Sequence, residues 1–205
     1  MSGAYDRTYS AIKAWIIHGE WKPGQRIEIH GVEEKLKVST SPIREALSAL
    51  ATEFMVEAIK GAGFRVSACD LAVTSDLLDW RQYLSAVAVK SSPSCRVSLP
   101  DPRSTDHATR TVQFFDALAR LSKNGEVRRA MGNTNDRLHH VHRLEPHILV
   151  AAPSELAELE AALRNGDRDL KKILRRYHHR RIVAAPSIVK LVRDEHDHPI
   201  IEPSS

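Results

Sequence analysis

Ser39, Thr40 and Ser41 are followed one turn later by Arg44, so a run of short polar side chains closes on a single guanidinium. Hydroxyls and a fork of N–H donors at a helix start suit anionic oxygens and base edges. The first amides of a helix are unpaired, and its N-terminus carries partial positive charge. Short side chains also let a helix tip enter a DNA major groove about 12 Å wide, where a guanidinium can donate twice to guanine or to the backbone. Ser48 extends the same face. A second candidate is Arg81, which interrupts the apolar stripe Leu77, Leu84 and Ala88 at that stripe's own spacing. A guanidinium there must pair with a buried carboxylate, snorkel to an edge, or line a cavity and hold the carboxylate of a small ligand. The third is "HHVHR", with His139, His140 and His142. Neighbouring helix positions point about 100° apart, so His139 and His140 cannot share an ion whereas His139 and His142 can. A solvated face is the expectation, and no metal is expected. No GxSxG, HExxH, phosphate-binding loop or spaced catalytic carboxylate pair occurs, so an enzyme with His and carboxylate chemistry in the C-terminal half has no positive support.

Elements must position these groups. Tyr5, Tyr9, Ile12 and Ile16 follow helical spacing up to "GEWKPGQ", where Gly19, Pro23 and Gly24 stop the helix. A short helix is expected over 30–36. In "KVSTSPIREALSALATEF", Ile43, Leu47, Leu50 and Phe54 form a stripe, with Ser39 as N-cap and Pro42 in the first turn, where proline forfeits no intrahelical bond. Two strand-like runs, 56–59 and 64–67, flank "KGAG", so Lys60, Gly61 and Gly63 form a hairpin tip that would lie over a minor groove or phosphate strand. Helices are expected near 72–90, 107–123, 126–143, 154–164, 167–183 and 187–193. Gly125 and Gly166 act as stops, with Ser154, Asp167 and Ser187 as caps. Residues 91–106, with three prolines, read as an unusually long loop. The fold class is mostly α: a winged helix-turn-helix over 1–69 with a small hairpin wing, an all-α bundle over 70–195, and a tail over 196–205.

The span from "IKAWIIHGEWKPGQRIEIH" through "KVSTSPIREAL" to "KGAGFRV" resembles the winged helix-turn-helix of the GntR family of bacterial transcription regulators. About 60 residues carry the resemblance, with turn, proline, arginine, glutamate and wing glycines in register. It implies a DNA-binding regulator that meets a palindromic operator as a homodimer. The chain departs from the family where Lys37 replaces a usual glycine and Thr40 replaces the first arginine of the recognition motif. His30 stands where some relatives carry another DNA-contacting arginine.

The helical remainder resembles the FCD effector domain of the FadR/VanR-like subfamily, in which an arginine of the first helix faces the pocket. Arg81 matches it, and Ser85 stands where a glutamate often follows. Many members hold a divalent metal through one aspartate and three histidines. The matching positions here are Thr111, Phe115, Leu156 and His178, so three of four ligands are replaced and no metal or other cofactor is implied. The resemblance then implies a drier effector pocket of Arg81, Thr111, Phe115, Leu156 and His178. Alternatively, the domain is only a dimerisation scaffold.

Composition sets wider bounds. Lysine and arginine exceed the acids by four, and the pI is about 9.2, which is compatible with a polyanion partner. Cys69 and Cys95 form no spaced cluster, and no leader or apolar run of membrane-spanning length is evident, so a cytoplasmic protein is expected.

Overall fold

The computed structural model describes residues 2–91, 97–99 and 106–197. The chain divides into two compact units, Met1–Cys69 and Asp70–Ser205. Mostly helical architecture with one small sheet agrees with the expected fold class.

In the first unit, helices α1 (Ser2–Ile17), α2 (Ile29–Leu36) and α3 (Thr40–Thr52) accompany strands β1 (Arg26–Ile27), β2 (Val56–Ile59) and β3 (Gly63–Val66). The sheet order is β1-β3-β2, antiparallel throughout, with Val56 opposite Val66 and Ile59 opposite Gly63. Gly61 and Gly63 have φ of 74° and 92°, the left-handed angles that the hairpin tip requires. β1 was not expected, because two residues carry no readable alternation. Its Ile27 pairs with Phe64, and both enter the core with Ile12, Ile16, Val32, Ile43, Leu47 and Leu50. Phe54 corrects the expected α3 stripe. The helix ends at Thr52, and Phe54 turns the chain at φ 60° with 65% of its surface exposed.

The second unit contains α4 (Leu71–Ser91), α5 (His107–Ala119), α6 (Gly125–Arg137), α7 (His139–Ile148), α8 (Ala152–Asn165) and α9 (Leu170–Asp197). Two expected boundaries are corrected. The helix expected over 126–143 is two helices, broken at buried Leu138 (φ −89°, ψ 0°), and Gly125 opens α6 behind an Asn124 cap rather than stopping a helix. The two helices expected over 167–183 and 187–193 are one, running through Pro186. An internal proline costs about 3 kcal/mol. Beyond it Ile188, Val189 and Val192 are buried, each contributing about 1.5–3 kcal/mol, so the shared apolar face outweighs the break. Ser187 is therefore interior to a helix and Ser154 donates to the Ala151 carbonyl instead of capping. Gly166 does end α8, at φ 66°. Most of the 91–106 loop and the 196–205 tail lies outside the described residues.

α4, α5 and α9 surround a core in which Phe115 packs on Tyr177 and His178, with Leu84, Leu118, Leu156, Leu159 and Leu163 around them. Among the described residues, no helix is long and apolar enough to cross a membrane.

Candidate functional site

α3 buries Ile43, Ala46, Leu47 and Leu50, and the 3.6-residue period therefore turns Ser41, Arg44 and Ser48 to solvent on one face. Arg44 forms no ion pair among the described residues, which leaves its guanidinium donors available. Pro42 sits in the first turn, as expected. Ser39 occupies the N-cap position with extended backbone (φ −74°, ψ 168°), but its hydroxyl accepts no capping hydrogen bond. Its expected role as a side-chain cap is thus corrected to a backbone one.

Thr40 differs from its exposed neighbours. Its hydroxyl donates to the Glu33 carboxylate, binding the tip of α3 to α2, and that bond leads the effects holding Glu33 below the usual carboxylate range. His30 is exposed and lies 3.5 Å from Glu33 and 3.4 Å from Glu34. Ser41 Oγ donates to Glu45 at 3.3 Å. The tip is therefore more acidic than the hydroxyl pattern suggests, and Arg44 is the cation that α3 itself presents. Lys37 closes α2 in the left-handed conformation (φ 53°, ψ 44°), which accounts for the glycine usual there. On the wing, Lys60 is exposed at the tip beside Gly61 and Gly63, while Arg65 is neutralised by Glu57 at 2.6 Å.

The second candidate constellation lies inside the helical unit. Arg81, Thr111, Phe115, Leu156 and His178 are each essentially inaccessible to solvent. The Arg81 guanidinium lies over the Phe115 ring at 4.3 Å, and Phe115 meets His178 at 5.5 Å, so these three converge. Thr111 spends its hydroxyl on the His107 carbonyl at 2.8 Å. Arg81 neither reaches the surface nor bonds a carboxylate. Its Nη1 donates to His142 Nε2 at 2.5 Å, while Nε and Nη2 are buried with no hydrogen-bond partner among the described residues. Burial pushes its pKa down.

His142 corrects the solvated-face reading of "HHVHR". It is completely buried, His139 is nearly so, and His140 is half-buried. Burial first, and the Arg81 charge second, lower the His142 pKa to about 3, so the ring is neutral. Its Nε2 accepts from Arg81, and Nδ1 then carries the proton it donates to Glu145 at 3.2 Å. Glu145 is also bonded by Arg181 Nε at 2.8 Å and approached by His107 at 3.4 Å. Burial opposes its charge, but these donors and the Arg181 cation hold its carboxyl well below the usual range. Arg181 stacks 3.4 Å from the Tyr177 ring and reaches Glu155 as well. The result is a chain, Arg81 to His142 to Glu145 to Arg181, linking α4, α7 and α9. His142, the partner of Arg81, and Glu145 behind it are not anticipated by the sequence reading. The available signal was their three-residue spacing on a face that also carries Val141 and Leu144.

Among the described residues, no three His, Cys, Asp or Glu side chains are grouped to hold a metal. Of Thr111, Phe115, Leu156 and His178, only His178 offers a coordinating ring, and burial drives its pKa well below normal.

Residues 4–66 match the family of bacterial regulatory proteins, gntR family. The match falls within the N-terminal unit, whose three helices and small sheet are those of a winged helix-turn-helix. Curated relatives include the Nta operon transcriptional regulator of Aminobacter aminovorans, 30% identical over 107 residues, which cover 52% of this chain and 46% of that protein. The HTH-type transcriptional repressor GlaR of Escherichia coli K12 is 28% identical over 81 residues, 40% of this chain and 37% of its own length. The chain thus spans less than half the length of these relatives. In fold it is similar to a GntR transcriptional regulator from Rhodococcus sp. RHA1, with TM-score 0.71 and 18% identity over 89% of this chain and 97% of that one. It is likewise similar to E. coli McbR/YncC, with TM-score 0.66 and 18% identity over 91% and 99%. α3 thus lies inside the segment that matches the family model, with Arg44 on its exposed face.

Proposed function

We propose that this chain is a GntR-type transcription regulator that acts in the cytoplasm and reads a palindromic DNA operator as a homodimer. The observation that carries the reading is Arg44, exposed and without an ion pair among the described residues on the solvent face of α3, inside a segment matching the gntR family. Ser41 and Ser48 flank it on that face. His30, Ser39 and Thr40 border the helix start, and Lys60, Gly61 and Gly63 form the wing tip over the adjoining backbone. Arg44→Ala should weaken operator binding by about 1–3 kcal/mol if its contact is bidentate to a base. A mobility-shift titration at fixed salt that gave unchanged affinity would remove Arg44 from the interface.

The helical unit is read as an FCD-type sensor of the FadR/VanR-like kind, without catalytic activity and without a resident metal. Two unpartnered donors on buried Arg81 support a carboxylate effector, with Thr111, Phe115, Leu156 and His178 around it. Effector binding would alter operator affinity through a coupling of about 1–3 kcal/mol. A second reading, a scaffold that only dimerises, is favoured by the way Phe115 and His142 already cover Arg81. Thermal shift against a panel of small carboxylates separates them, since a ligand that binds only the folded state raises the melting temperature. No shift with any of them favours the scaffold.

Self-association is supported by the outer face of α4. Val73, Trp80 and Val87 recur every seven residues, each with 42–49% of its surface exposed. At about 100° per residue they lie within about 40° of one another, as a helix–helix seam requires.

A further inference from the structure

On another flank of α4, against α9, lies a groove of about 430 Å³, within the usual range for small-molecule sites. Its rim carries Lys90 from the last turn of α4 and Lys171 and Arg175 from the first turns of α9, and among the described residues no acidic side chain lines it. None of these three cations forms an ion pair among the described residues. This contrasts with other cations of the same unit: Arg143 pairs with Glu195, Arg176 with Glu158, and Arg180 with Glu155. Val89 and Leu174 supply an apolar wall, and buried His178, whose Nδ1 has no hydrogen-bond partner, lies at the inner end beside Ser85.

We propose that this α4–α9 groove binds a small organic dianion, a phosphate monoester or a dicarboxylate, with its charged head between Lys90, Lys171 and Arg175 and its body against Val89 and Leu174. Three cations lining one groove exceed what one carboxylate can neutralise, while two negative charges on a compact head suit a guanidinium fork with ammonium groups on the same groove. The apolar wall favours a ligand with an aromatic or alkyl body over a bare ion. The groove shares His178 with the surroundings of Arg81 but is not lined by Arg81 itself, and the proposal rests on the helical unit being a sensor.

Calorimetric titration of the full chain with phenyl phosphate, phthalate and benzoate at low salt tests it. At least one of the two dianions should bind roughly tenfold or more tighter than benzoate, and whichever is tighter identifies the head group. The exposed double variant Lys171→Gln/Arg175→Gln should lose that preference, while its circular dichroism and its affinity for operator without ligand stay at wild-type values. Absence of binding by both dianions at millimolar concentration, equal binding of benzoate, or an unchanged preference in the double variant would overturn the proposal. Because DNA affinity is read separately, a protein that binds dianions but no operator refutes the regulator reading and leaves this site standing.

Discussion

Thr40 and Lys37 show how a departure at one residue is absorbed. Where the resemblance implies a cation, Thr40 supplies a hydroxyl that donates to Glu33 and braces α2 against α3. Lys37 keeps a left-handed backbone that glycine would adopt without strain. Lys37→Gly should therefore stabilise the N-terminal unit by about 0.5–1 kcal/mol, read as a raised urea midpoint with unchanged slope. The same variant removes a cation beside the helix start and should bind DNA somewhat more weakly. Arg44 was legible in the sequence because a stripe at 43, 47 and 50 fixes which face is left to solvent. His142 was not, because the pattern of one helix does not reveal a partner 61 residues away, here Arg81.

Among the elements, α3, the hairpin and α8 were legible from periodicity and glycine placement. β1 and the course of α9 were not, since a two-residue strand exists only through its partner and Pro186 is tolerated only because of the face it continues. The buried chain across α4, α7 and α9 has a consequence for pH. His142 has its pKa depressed to about 3 from an ordinary 6.5. Above pH 6.5 folded and unfolded forms are both neutral. Below it the unfolded chain takes up a proton that the folded one excludes, so stability falls as pH drops from 6.5 towards 3. At pH 5 the loss is about 2 kcal/mol from this residue, and His178 acts with the same sign. Urea unfolding of the full chain at pH 7 and pH 5 should show the loss, and His142→Asn should shrink the difference. Arg181→Met, which leaves Glu145 without its main cation, should destabilise the helical unit by about 3–5 kcal/mol at pH 7, seen as early loss of helical ellipticity.

For the molecule as a whole, reading a palindromic operator requires two copies on one duplex. Trp80→Glu places a charge in the exposed seam of α4 and should shift sedimentation towards monomer without loss of helix content. If Lys37 and Lys60 each meet one phosphate in both protomers, while Arg44 reads a base, the logarithm of operator affinity should fall with the logarithm of salt at a slope of about −3.6. Lys60→Ala should make that slope shallower by about 2. The most direct test of the central claim, sequence-specific reading of DNA by α3, is in vitro selection from a random duplex pool with the wild-type chain and with Arg44→Ala. We expect the wild-type to enrich an inverted repeat with half-sites spaced by about one helical turn or a multiple of it, and Arg44→Ala to lose preference at one position of each half-site. Failure of the wild-type to enrich any sequence, or enrichment of the same repeat by both proteins, would contradict the account.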